Sequence, residues 1–159
     1  MSETRMSDYF RLFNEIGIIE QLSRAMFEAR LPSGFVLAQF SVLNHLVRVG
    51  DGRTPLAIAR AFQVPKTSMT HSLAVLEREG LIAISKNPKD GRSKLVHITD
   101  AGRKFRQDAI DSLTPDLKRI AAAVPSENVA RLLPELEVLR KFLDTDRDAP
   151  AGTAENTSR

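Results

Sequence analysis

One helix-forming stretch near the middle of the chain sets cations and hydroxyls where they could grip an anion. Between Val64 and Arg78, Met69, Leu73 and Leu76 recur at spacings of four and three. That is the stripe of a helix seated on a core. The opposite side carries Lys66, Thr67, Ser68, His71 and Arg78. With Pro65 expected at the first turn, the free N–H groups and positive dipole end point outward beside Lys66, Thr67 and Ser68. Ammonium, hydroxyl and main-chain donors placed together suit phosphate oxygens and polar base edges. A solvated face with no partner has the same composition, so the neighbouring elements must decide.

Those elements form a recognisable series. Glu79-Gly80 stops the helix, because Gly takes the left-handed conformation that a helix stop needs. Ile82 and Ile84 alternate with Ala83 and Ser85 at strand period two. Asn87-Pro88-Lys89-Asp90-Gly91 is turn chemistry, with Pro88 fixing φ and Gly91 expected at positive φ. Leu95-Val96-His97-Ile98 returns as the partner strand. Upstream, Thr54 is placed to cap a short helix and Pro55 to open it. Leu56, Ile58, Ala59 and Phe62 are its packing residues, and small Ala59 lets two helices cross closely. Gln63-Val64 then turns into the helix described first. Two helices across a tight turn and then a basic hairpin have the layout of a winged helix-turn-helix. The expected fold class is mainly α with a small β-hairpin wing: a winged helix-turn-helix lobe plus a helical dimerisation lobe.

Charge is divided unevenly along the 159 residues. From Gly52 to Arg106 there are eleven Lys/Arg and four Asp/Glu, a net of +7. The remainder holds twelve and sixteen, a net of −4, which gives the overall +3. The basic part coincides with the helix and hairpin, which points to a polyanion partner for that segment.

The flanking segments are helical and rich in apolar residues. Ser7 or Asp8 can cap a first helix carrying Tyr9, Leu12, Phe13, Ile16, Ile19, Leu22 and Met26, to about Arg30. Leu31-Pro32-Ser33-Gly34 breaks it. A second helix has Phe35, Leu37, Phe40, Leu43, Leu46 and Val47 as its core, and Gly50-Asp51-Gly52 ends it. Thr99-Asp100 caps a fifth helix whose stripe runs from Ala101, Phe105 and Ala109 to Leu117, Ile120 and Val124. Leu113-Thr114-Pro115 should kink or break that stripe. Pro125-Ser126-Glu127 starts a sixth helix, with Leu132, Leu136 and Leu143 on its apolar side and a kink expected at Pro134. The expected organisation is one domain over 1–144, with a DNA-binding lobe at 52–100, dimerisation helices at 7–30 and 100–144, and a disordered tail at 145–159. The first, fifth and sixth helices carry more apolar surface than a small lobe can cover, so a two-fold homodimer is expected.

Read together, Thr54-x-x-x-Ile58-Ala59, Val64, Thr70, Leu76-Glu77-x-x-Gly80-Leu81-Ile82, Asp90-Gly91-Arg92 and Ile98-Thr99-x-x-Gly102 resemble the MarR family of multiple-antibiotic-resistance regulators. The resemblance implies a homodimeric transcriptional regulator, often a repressor, whose binding to double-stranded DNA is relieved by a small ligand. Family members dock the fourth helix in the major groove and the wing tip beside or in the minor groove. By position, the helix offers Lys66, Thr67, Ser68, Thr70 and His71. The wing offers Lys89, Asp90 and Arg92, with Asp90 pairing with Arg92 and orienting it. The chain departs from the family pattern at Pro65, where a polar cap is usual, and at Gly91 and Ile84, where arginines are usual. Physical reasons agree with the assignment. A helix fits the major groove, where base edges differ in donors and acceptors. Arg in a narrow minor groove meets enhanced negative potential. A dimer should recognise a pseudo-palindrome with half-sites about one turn apart.

Other chemistries have less support. No Gly-rich phosphate loop, HExxH or nucleophile elbow is present, so neither an enzyme nor a cofactor is expected. Zero cysteines exclude disulfides and Cys-based zinc sites. His45, His71 and His97 lack paired spacing, so no metal site is expected. There is no run of about 18 apolar residues and no apolar core in Met1 to Asp8, so a cytoplasmic protein without membrane contact is expected. The alternative to a DNA reader is a winged helix that contacts protein and binds no specific DNA. An apolar or aromatic organic effector would find a pocket near Phe13, Phe40 and Phe105, residues that equally suit a plain core.

Overall fold

The computed structural model describes residues 3–146. Its elements in chain order are α1 (Glu3–Glu28), α2 (Leu37–Val49), α3 (Pro55–Phe62), α4 (Lys66–Arg78), β1 (Ile82–Asn87), β2 (Asp90–Ile98), α5 (Asp100–Ser112), α6 (Thr114–Ala123) and α7 (Ser126–Asp146). The chain divides into one compact unit ending at Thr114 and a second beginning at Pro115. Among the described residues, no helix is long and apolar enough to cross a membrane.

Local chemistry builds the first unit. Thr54 accepts the Ala57 N–H on its hydroxyl at 3.1 Å, and Pro55 opens α3 where no hydrogen bond is lost. The α3–α4 turn is made by Gln63 in the left-handed conformation, at φ 52° and ψ 40°. The Val64 N–H then reaches back to the Ala59 carbonyl. Pro65 occupies the position just before α4 rather than its first turn. At the other end Gly80 has φ 70°, its N–H donates to Glu77 O, and the Leu81 N–H donates to Leu76 O at 2.9 Å. This pair of bonds satisfies the last carbonyls of α4 and turns the chain into β1.

The strands pair antiparallel, with Ile82 opposite Ile98 and Ile84 opposite Val96. The sheet receives a further bridge from Arg53, opposite Val96, that the sequence pattern did not suggest. The core gathers the inner faces of α2, α3, α4 and both strands, with Leu43, Leu46, Ile58, Leu76 and Val96 fully buried. Val47 and Leu56 point outward, and Val42 and Val75 are buried instead. On α2 and α3 the apolar stripe is broader than the core uses.

Several boundaries differ from the sequence expectation. Ser7 and Asp8 lie inside α1 and do not cap it. The fifth helix ends at Ser112, and the rest of its stripe forms α6, with Pro115 in the first turn where the missing N–H costs nothing. α7 continues through Pro134. Thr145 and Asp146 are its last residues, and the remainder of the expected tail lies outside the described residues. Gly91 is not at positive φ.

The start of α5 rests on the corner between α4 and β1. Thr99 donates its hydroxyl to Gly80 O at 2.7 Å, accepts the Gly102 N–H at 3.0 Å, and gives its own N–H to Leu81 O at 3.1 Å. A Cβ on Gly102 would sit 2.1 Å from Leu81 O and 2.9 Å from an Ile98 methylene. Gly102→Ala should therefore cost about 1–3 kcal/mol by overpacking, read as a fall in Tm of roughly 2–4 °C per kcal/mol. An unchanged Tm would mean that the corner is not close-packed.

Candidate nucleic-acid interface

Five of the expected residues share the outer face at the start of α4. Lys66, Thr67, Ser68, Thr70 and His71 are all exposed, while Met69, Ser72 and Leu73 turn inward. Thr70 donates its hydroxyl to Lys66 O at 2.8 Å, so toward a ligand it offers lone pairs. Arg78, further along, donates to Glu79 at 3.0 Å, so its charge is partly met.

The wing tip is held by side chains rather than by glycine. Asn87 accepts the Lys89 N–H at 3.0 Å and donates to the Ser93 hydroxyl at 2.8 Å. Asp90 accepts the Arg92 N–H at 3.0 Å, and the Ser93 hydroxyl donates to Asp90 O. Asp90 thus supports Arg92 through the main chain. Among the described residues the Arg92 guanidinium is in no ion pair, and Lys89, Asp90 and Arg92 are all exposed. The ladder jumps from Lys86–Lys94 to Asn87–Asp90, so Gly91, Arg92 and Ser93 bulge out of register. Such a bulge re-aims the side chains it carries.

Two lysines join the site that sequence reasoning did not single out. Lys86 and Lys94 are directly opposed, on the face that carries Ile84 and Val96 nearer the core. Like charges set opposite each other destabilise a hairpin, and a polyanion lying along that face would remove the repulsion. The alternation from Ile82 reaches Lys86, but the pairing with Lys94 depends on the bulge.

The base of the wing is clipped to the end of α2. Arg53 Nη2 donates to Val49 O at 2.8 Å, its carbonyl accepts the Val96 N–H at 2.8 Å, and the Gly52 N–H donates to Val96 O at 3.1 Å. Asp51 accepts the Ile98 N–H at 2.9 Å and stands 3.6 Å from His97 Nδ1. Gly50-Asp51-Gly52 therefore ends α2 and also anchors the wing. His45 is half-buried on Phe62, with ring centroids 5.3 Å apart. Burial first, then Arg48 and Arg53, holds its imidazole below the usual value of 6.5. Among the described residues no three His, Cys, Asp or Glu side chains are grouped to hold a metal. Phe40 packs on Phe27 at 4.4 Å, Phe105 on Phe35 at 4.6 Å, and Phe13 is exposed on α1.

Two helices across a left-handed turn, followed by a basic hairpin, define a winged helix-turn-helix protein. Residues 33–93 match a model described as MarR family. BadR of Rhodopseudomonas palustris, named a transcriptional activatory protein, is 30% identical over 97 residues, which is 60% of this chain. The match spans about half of that relative, 54% of its length. The crystal structure of the transcriptional regulator BldR from Sulfolobus solfataricus has a TM-score of 0.76 at 25% identity, covering 89% of this chain and 99% of that one. A MarR mutant from E. coli, complexed with operator DNA, shares the fold at a TM-score of 0.68 and 23% identity, over 83% of this chain and 95% of that one.

Two outcomes follow. Asp51→Ala leaves the buried Ile98 N–H without its acceptor and should cost about 1–3 kcal/mol, with faster hydrogen exchange at that amide. Unchanged exchange would remove the clip. Because the folded state disfavours protonated His45, its contribution to stability is complete above pH 6.5 and is lost as pH falls below it. His45→Gln should flatten that part of the stability profile, measured by urea midpoints at about pH 7.5 and 5.5.

Proposed function

We propose that the protein is a sequence-specific transcriptional regulator that binds double-stranded DNA as a homodimer, with α4 in the major groove and the wing at the flanking minor groove. The observation that carries this is the exposed cation-and-hydroxyl face of α4 on the same winged lobe as the basic wing. Lys66, Thr67 and Ser68 meet phosphates and base edges at the start of α4, and Thr70 and His71 follow one turn on. Arg92 enters the minor groove from the bulge, with Lys89 on the backbone beside it. Asp90 keeps Arg92 in place.

Dimerisation is supported by large apolar side chains that are exposed among the described residues. On α1, Tyr9, Phe10, Ile19 and Leu22 are exposed, Leu22 by 68%. On α7, Leu132, Leu133, Val138 and Phe142 are exposed, Phe142 by 62%. Exposed apolar side chains in such number on each unit suit an interface, and a two-fold one presents two α4 helices to successive turns of DNA. A dimer bound across a promoter represses by occlusion, and the same dimer bound upstream can activate, as the name of BadR implies for that relative. Such a regulator works in the cytoplasm, where the DNA is, and is open to release by a small organic effector.

Fluorescence anisotropy with DNA from upstream of its own gene, across about 50 to 200 mM salt, tests the proposal. Tight binding should weaken steeply with salt. Lys66→Ala and Arg92→Ala should each weaken it by roughly ten-fold, and Lys66→Ala should lower the salt slope by about one. Weak binding, equal on random DNA, would favour the protein-contact alternative. Light scattering should give two chains per particle, and Leu22→Glu should yield a monomer with much reduced DNA affinity. A wild-type monomer would refute the dimer.

A further inference from the structure

The tripeptide Asp-Gly-Arg occurs twice in the chain, at 51–53 and at 90–92. An Asp-Gly bond can rearrange without a catalyst, because glycine has no Cβ to keep the preceding carboxyl off its nitrogen. The Gly nitrogen attacks Cγ of the protonated Asp carboxyl, and a C–N bond forms. The amide proton and the carboxyl hydroxyl leave as water, which gives a cyclic imide. Water then cleaves the ring at one of its C–N bonds. Cleavage at Cγ restores Asp. Cleavage at the original peptide carbon leaves isoaspartate, in which the main chain runs through Cβ and Cγ and that carbon becomes a free carboxylate. One water is lost and one is gained, and nothing is oxidised or reduced.

The fold treats the two pairs differently. Asp51 accepts the Ile98 N–H at 2.9 Å on one carboxylate oxygen, and its other oxygen stands 3.6 Å from His97 Nδ1. Gly52 sits at φ 71°, and its N–H donates to Val96 O at 3.1 Å. The carboxyl and the attacking nitrogen are therefore both tied to β2. The second pair is exposed at the wing tip, and among the described residues Gly91 has no opposite residue in the ladder. The bond from the Arg92 N–H to the Asp90 carboxylate, 3.0 Å long, spans Gly91 and keeps the carboxyl beside the peptide that it must meet. Gly91 serves neither turn nor packing: its φ is not positive, and a Cβ there would meet nothing within 4 Å. The wing would accept a side chain at 91, and glycine leaves the attack open.

We propose that Asp90-Gly91 is a modification site, at which Asp90 converts spontaneously to isoaspartate while Asp51 is protected, and that the conversion releases Arg92 from its place on the wing. The extra methylene in the main chain moves the carboxylate away from the Arg92 N–H that it now accepts. The product also carries the free carboxylate that an isoaspartyl methyltransferase esterifies with S-adenosylmethionine. The ester recloses to the imide with loss of methanol, and water then regenerates Asp, so the change is reversible. The effect on DNA rests on the function proposed above, and the rearrangement does not.

The test is to keep the full chain folded for several weeks at physiological temperature and mildly acid pH, then digest it and map isoaspartate by electron-transfer mass spectrometry. Isoaspartate should build up at position 90 many times faster than at position 51. In guanidinium-unfolded chain the two positions should react at similar rates, because the protection of Asp51 comes from the fold. Gly91→Ala should slow the reaction at Asp90 many-fold without lowering Tm. Equal rates at the two positions in the folded chain, no isoaspartate at position 90, or no effect of Gly91→Ala would overturn the site. Protein enriched in the aged form should bind upstream DNA roughly ten-fold more weakly, the loss expected for Arg92→Ala. Purified isoaspartyl methyltransferase with S-adenosylmethionine should restore the affinity. Isoaspartate at position 90 with unchanged DNA affinity would overturn the effect on Arg92. Fresh protein that binds no DNA at all, yet rearranges at position 90, would refute the DNA-binding function and leave the modification site standing.

Discussion

The close contact of Gly102 with the Leu81 carbonyl is the constraint on which both functional elements depend. α4 ends at Gly80, β1 begins at Ile82, and the first turn of α5 sits on the joint between them. Thr99 bonds to the carbonyls of Gly80 and Leu81 and to the amide of Gly102, so it ties three elements with one residue. A side chain at position 102 would push α5 off that joint, and the direction of the wing relative to α4 would change with it. Interfaces that read a groove tolerate little error in such angles, because each base contact needs its own geometry.

A second joint fixes the far side of the wing. The Asp51–Arg53 segment bonds to Val96 and Ile98 by main chain and by the Asp51 carboxylate, while the Arg53 side chain binds the last carbonyls of α2. The wing is thus held at its base from α2 and from α5, and only its tip projects. The tip carries its cost openly: Lys86 faces Lys94, and among the described residues Arg92 stands on its bulge without an acidic partner. Stability at the base and unrelieved positive charge at the tip fit an element that meets a polyanion.

Much of this was legible from local chemistry. Thr54-Pro55 starting α3, Glu79-Gly80 ending α4 and Thr99 capping α5 each depend on residues within one turn. The polar face of α4 followed from a stripe of three apolar residues on its other side. What was not legible depends on distant partners. Nothing near Arg53 shows that its main chain pairs with Val96, because the partner lies on the far side of two helices and a strand. Leu56 and Val47 look like core because the stripe is wider than the surface it meets. Gly91 looked like the turn residue, but Asn87 and Asp90 close the turn with their side chains, and the glycine keeps an ordinary φ.

Selection from a pool of randomised duplex DNA tests the central claim most directly, because it assumes no target. The expected result is enrichment of one pseudo-palindrome whose half-sites lie about 10 base pairs apart, centre to centre, and loss of that enrichment when Lys66 and Arg92 are both replaced by Ala. A pool that stays random with the wild-type protein would contradict a DNA-reading α4 and leave the winged helix as a surface for another partner.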